Sequence, residues 1–449
     1  MEASSETLIL TGHLIDTPNY GLLRSFPDGA VVIHQHAIAA AGNRSEIIID
    51  PRWKSAPVRD YPPKTCPVIL SGLTDVHTHL PQFPAVARSE SALLPWLDRH
   101  IFPLEKGFQG EHASAVCHAF FDELAAHGTT TAMIYAAVWE DSCHEAFEVA
   151  DRSGLRIIMG KVMMDIRSYG HIPDKEPFER SLEESERLCG RWHGADGGRL
   201  EYAFSPRFAV SCTEGMMRAA SRLAQKYEAY IQTHLSETQG EIENVRDLHP
   251  RWDNYASVYE GCGILGNRTV LGHCLHLDDA EINLLKKTGS RVAHCPTSNL
   301  FLNSGVFPME RLRGGDLKIG LGSDVAAGPE LNLWQVMRSA VETQKFRRMR
   351  HPELAEFEAI HAFYLATMGG AEVLNKNTII GTLEEGKDAD IGVWDLDVAL
   401  PMGKAGLGDT GLTAEDIIAL LVYRGNRHCL LESFVRGRSV FRAPDSSFD

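Results

Sequence analysis

The sequence has no basic excess, no long apolar run and no paired cysteines. Its 449 residues carry 44 Lys and Arg against 60 Asp and Glu, a net charge of −16. Binding a polyanion needs clustered cations, so this balance argues against nucleic acid and against anionic membranes as partners. No segment approaches the ~20 consecutive apolar residues of a membrane helix. The opening M-E-A-S-S-E-T-L-I-L lacks the basic start and apolar core of a signal peptide. Nine cysteines stand singly, odd in number and without a C-x-x-C pair, which suits buried thiols in a reducing compartment. The expected location is the cytoplasm. Low-complexity tracts and short-period repeats are also missing.

What is present is a series of short apolar, β-rich runs. Eight follow one another from about residue 67: P-V-I-L-S-G-L-T-D-V-H-T-H, T-T-T-A-M-I-Y, L-R-I-I-M-G-K-V-M-M, L-E-Y-A-F-S-P-R-F, Y-I-Q-T-H-L-S, T-V-L-G-H-C, R-V-A-H-C-P and L-K-I-G-L-G-S-D. Helical patterns lie between them, as in Ala113 to His127, where Val116, Phe120 and Leu124 recur at helical spacing, and in Thr213 to Tyr227 behind an N-cap. Apolar strands alternating with helices imply a parallel sheet covered by helices. Eight repeats in some 250 residues point to an α/β fold of the (β/α)8 TIM-like barrel type. A doubly wound open sheet is the competing reading, but it would more often carry a glycine-rich nucleotide turn after its first strand, and none is there. The ends differ: residues 1–66 and 379–449 hold short β-like runs with turn signals between them. The expected organisation is a barrel over 67–378 and a small composite β-sandwich domain built from both ends.

In such a barrel, catalytic groups sit at the C-terminal ends of strands. His77 and His79 close the first run, Arg207 the fourth, His234 the fifth, His273 the sixth and Asp324 the eighth. Residues i and i+2 of a strand point to the same side, so His77 and His79 can offer two nitrogens to one cation. Imidazoles with a carboxylate suit Zn2+ first, with iron or another divalent ion as alternatives. An ion held this way leaves a position where water is activated near neutral pH. Glu237, three residues after His234, is placed to carry a proton without touching the ion. His294, closing the seventh run, reads as a pocket or supporting residue, and Asp75 as a group that orients one of the histidines by a hydrogen bond. The stretch G-T-L-E-E-G-K-D, Gly381 to Asp388, fits part of a phosphate-loop pattern, but Asp388 stands where Ser or Thr is required, and a turn is expected.

These residues, together with L-L-P-W-L-D-R-H-I-F-P-L-E, S-P-R-F, H-L-S-E, A-H-C-P-T-S-N-L-F-L and G-S-D-V-A, resemble the amidohydrolase superfamily of metal-dependent hydrolases over nearly the whole chain. Within it, L-L-P-W-L, S-P-R-F, H-L-S-E and Gln82 are similar to the guanine deaminases. The resemblance implies one Zn2+ per subunit held by His77, His79, His234 and Asp324, with His273 a fifth ligand or a neighbour that orients the attacking hydroxide. It also implies Glu237 as proton shuttle, helped by Asp324. Gln82 and Arg207 become readers of the base, with Trp96 and Phe208 packing on its ring. No lysine closes the fourth run, so the resemblance favours a single metal over a bridged pair. The implied reaction is hydrolytic deamination of guanine to xanthine and ammonia by a homodimer acting on a small purine. Ala327, where a second glycine is usual, and I-R-S-Y-G-H-I after the third run depart from the pattern. They keep 8-oxoguanine, a pterin or an aminotriazine as alternative substrates. A non-catalytic barrel and a cyclic amidase are the readings from other classes.

Overall fold

Runs rich in Val, Ile and Leu that are buried on both faces form parallel strands covered by helices. The computed structural model describes residues 7–62, 65–170, 177–314, 316–403 and 411–444. Eight of its strands succeed one another in parallel: Leu73–His79, Thr129–Tyr135, Arg156–Gly160, Leu200–Pro206, Tyr230–Leu235, Thr269–His273, Arg291–His294 and Ile319–Leu321. The short strand Val162–Met163 continues the third beside the fourth. The last strand returns to the first through the loop after it, where the Asp324 N–H donates to the His77 carbonyl at 2.9 Å. The helix Gly110–Ala126 buries Val116, Phe120 and Leu124 as their spacing predicts. The helix Glu214–Tyr227 is capped by the Thr213 hydroxyl, which accepts from the Met216 N–H at 3.2 Å. Among the described residues no helix is long and apolar enough to cross a membrane.

Strands from both ends meet in one second sheet, in the order Arg438–Arg442, Leu430–Val435, Ile391–Asp395, Pro67–Ser71, Thr7–Asn19, Leu22–His34, Ala37–Asn43, with Val58–Arg59 beside Thr7–Asn19. Alternate residues of its long strands go to opposite faces: Leu10, Val31 and Ile33 join one apolar cluster, Ile9, Ala30 and Val32 another.

The first apolar run is divided between the two sheets. Pro67–Ser71 pairs with Thr7–Asn19 and Ile391–Asp395, and the barrel begins only at Leu73. The change of sheet falls at Gly72, where an added Cβ would meet Thr130 Oγ1 at 2.1 Å. A continuous apolar run carries no sign of such a break, because strands of both sheets are buried here.

Candidate metal centre and adjoining pocket

Four donors converge where the strands end. His77 and His79, alternate residues at the close of the first barrel strand, each place Nε2 3.3 Å from Asp324 Oδ1. His234 Nε2 lies 3.2 Å from His79 Nε2, while His234 Nδ1 sits 2.7 Å from the Arg207 carbonyl. That carbonyl can only accept, so Nδ1 carries the proton and the Nε2 lone pair faces the centre. The donor atoms of His77, His79, His234 and Asp324 all lie within 4.8 Å of one another.

The donor set is in the form that a cation needs. Burial drives His79 down to about 4, against the opposing pull of Asp324, and drives His234 well below the ordinary histidine value. Asp324 is opposed by burial, but the His77 and His79 rings beside its carboxylate hold it well below the usual carboxylate range. Buried His77 Nε2, although 3.3 Å from Asp324 Oδ1, makes no hydrogen bond in aligned geometry among the described residues. An orphaned nitrogen, neutral imidazoles and an ionised carboxylate aimed at one point fit a divalent metal ion.

Beside this centre, His273 Nε2 stands 3.4 Å from Glu237 Oε2 and 3.7 Å from Asp324 Oδ2. Its Nδ1 is 2.9 Å from Asn299 Oδ1. Glu237 Oε1 accepts from the Ser304 hydroxyl at 2.9 Å. Burial, and then the Asp324 charge, push the Glu237 carboxyl up to about 8 against that hydrogen bond.

A cavity opens onto these groups and is walled by Leu93, Trp96, Leu97, Phe208, Leu302 and Ala327. His79, His234, Glu237, His273 and Asp324 line its metal side, Gln82 and Arg207 its polar edge. A largely apolar slot with a few convergent polar groups is the form of a small-molecule site.

The amidohydrolase family model matches residues 68–440. The chain belongs to the amidohydrolase family. This amidohydrolase is 35% identical to the guanine deaminase of Escherichia coli over 95% of its own length and 94% of that protein. It is 34% identical to the guanine deaminase of Rattus norvegicus over 83% of its length and 82% of that protein. Its structure superposes on that of guanine deaminase from C. acetobutylicum with bound guanine in the active site, with a TM-score of 0.88, 28% identity, and coverage of 97% of this chain and 100% of that one.

Within this amidohydrolase the expected residues fall into distinct places. His273 lies outside the four-donor group and forms a second one with Cys295 and Asp324. Trp96 and Phe208 are at once cavity walls and members of the main apolar core, and Trp96 Nε1 donates to the Arg88 carbonyl at 2.7 Å. Asp75 bonds no imidazole among the described residues: its Oδ1 accepts the N–H of His77 at 3.2 Å and of Ser323 at 3.1 Å, and its Oδ2 accepts the Ser323 hydroxyl at 2.5 Å. It therefore ties the end of the first barrel strand to the loop after the eighth. His294 stacks on Phe307 at 4.1 Å, and neither of its ring nitrogens has a hydrogen-bond partner among the described residues. Burial, and then His273, push it down to about 3.

Three residues escape sequence reasoning. Asn299 and Ser304 hold His273 and Glu237, and Glu105 holds both Gln82 and Arg207. Glu105 and Asn299 fall inside motifs that carry the family resemblance, but no spacing rule ties them to a strand end.

Proposed function

We propose that the chain is a guanine deaminase, hydrolysing guanine to xanthine and ammonia with one Zn2+ held by His77, His79, His234 and Asp324. The observation that carries the reading is a single cavity joining the four-donor centre, the buried Glu237 carboxyl and two side chains able to read a base edge. Three imidazoles and a carboxylate suit Zn2+, and iron is the alternative that metal analysis separates.

When bound, such an ion lowers the pKa of a coordinated water toward 7. The chain's own residues do the rest. Arg207 matches the O6 and N7 acceptors on one edge of guanine, Gln82 takes a further polar atom of the base, and Trp96 and Phe208 pack on its ring. Glu237 moves the proton of the attacking water to a ring nitrogen beside C2, and Asp324 is a second acceptor for water protons. His273, held through Nδ1 by Asn299, directs Nε2 to the oxygen that adds to C2. The second water proton, held by Asp324, passes to the exocyclic amine, the exocyclic C2–N bond breaks, ammonia leaves, and C2 becomes a carbonyl.

Ala327 in the cavity wall supports a second reading, a neighbouring aminoheterocycle as substrate. The test is ammonia release by zinc-replete protein from guanine, 8-oxoguanine, a pterin and an aminotriazine. Guanine is expected to give the highest kcat/KM. Release from another member of the panel but not from guanine transfers the mechanism to that base, and release from none overturns catalysis.

A further inference from the structure

Glu105, on the short helix Phe102–Lys106, is 1% exposed and belongs to no strand end. Its Oε1 accepts from Gln82 Nε2 at 2.9 Å and its Oε2 from Arg207 Nη1 at 2.7 Å. A carboxylate only accepts, so Gln82 must turn its amino group toward Glu105, and its carbonyl oxygen faces the Ala326 N–H at 3.3 Å. The orientation of one reader is thereby set by the acid and not by the base.

The same contact decides charge. Arg207 is 2% exposed and has Phe102 across its guanidinium at 5.1 Å, and among the described residues Glu105 is the only acid ion-paired with it. The pair presents donors to a ligand while carrying no net charge. Deamination replaces an amine by a carbonyl, so the product's ring N–H groups are more acidic than those of the substrate.

We propose that Glu105 is a positioning residue that orients Gln82 and Arg207 for a neutral aminopurine and, by cancelling the Arg207 charge, keeps anionic oxopurines from binding tightly. This rests on the guanine deaminase reading. It gives the pocket a preference for substrate over product that neither reader supplies alone.

Glu105→Gln and Glu105→Asp test it, with metal content and unfolding midpoint measured on each protein. Glu105→Gln keeps the volume but cannot accept from both partners and uncovers the Arg207 charge. Its KM for guanine is expected to rise about tenfold or more with kcat changed far less, and urate, an anionic oxopurine, to bind about tenfold more tightly by calorimetry. Glu105→Asp keeps the charge and withdraws the carboxylate by one methylene, so KM rises while urate affinity stays at the wild-type value. Wild-type KM and urate affinity in Glu105→Gln, or a loss of kcat with both unmoved, overturns the proposal. Should Glu105→Gln fail to fold, an unchanged KM or a tightened urate affinity in Glu105→Asp does the same. If the wild-type protein releases no ammonia from guanine, the functional reading falls, and urate binding alone still judges the charge claim.

Discussion

Two imidazoles at the centre, His234 and His273, have the proton placed by what the other nitrogen touches. The Arg207 carbonyl fixes His234, and Asn299 Oδ1 fixes His273, so both rings aim Nε2 lone pairs inward. Asn299→Ala frees His273 to change tautomer and should lower kcat about 10- to 100-fold with metal content unchanged, measured on one sample by steady-state kinetics and metal analysis. Glu237 is not a member of the four-donor group and faces His273 and Ser304. Glu237→Gln should therefore retain one metal per chain while kcat falls about a hundred- to ten-thousandfold. Loss of metal from this variant would assign Glu237 to the ligand set instead. At this scale the sequence was legible where chemistry follows strand geometry, as in His77 and His79. Asn299, Ser304 and Glu105 were not legible, because their partners are brought near by folding across 26, 67 and up to 102 residues of chain.

The elements do more than carry side chains to one rim. Strands five, six and eight are left through backbone in the left-handed region, with φ of +50° at Ser236, +69° at His273 and +48° at Asp324. Non-glycine residues rarely adopt it, and such strain, about 1–3 kcal/mol each, collects at functional sites. Room for His77 is made by the neighbouring strands: a Cβ on Gly272 would meet its Cε1 at 2.7 Å, and one on Gly322 its Cβ at 2.7 Å. Gly272→Ala should thus displace the His77 ring and weaken metal binding about 10- to 100-fold in a chelator competition, with a smaller effect on the unfolding midpoint. Unchanged affinity would mean that the ring contributes little to the centre. Apolar periodicity announced eight strand-forming runs, yet it did not show that Gly72 divides the first of them. What sets that division is a close approach to Thr130, a contact no local pattern encodes.

Over the whole molecule, two sheets are joined by charge as well as by apolar packing. Arg156, 3% exposed at the start of the third barrel strand, donates to Asp390 Oδ2 at 3.0 Å and to Asp388 Oδ2 at 2.7 Å. Asp388 ends the stretch Gly381 to Asp388, whose Lys387 turns inward to the Ile380 carbonyl at 3.3 Å, so those residues serve a turn and an ion pair. Arg156→Met leaves two acids facing a site without its cation and should cost about 3–5 kcal/mol, read as a lower urea midpoint with the metal centre intact in the folded protein. Alternating strands and helices made the barrel legible, and β-like runs at both ends made their pairing legible. The extent of each sheet depended on long-range register that appears only once Pro67–Ser71 and Ile391–Asp395 are side by side.

The central claim is that one metal, held by His77, His79, His234 and Asp324, activates water for attack on guanine. Its most direct measurement adds Zn2+ stepwise to metal-stripped protein and follows ammonia and xanthine from guanine. The account predicts activity rising linearly to a break at one equivalent per chain, with one ammonia formed for each xanthine. A full equivalent of tightly bound metal with no ammonia released from guanine would contradict it.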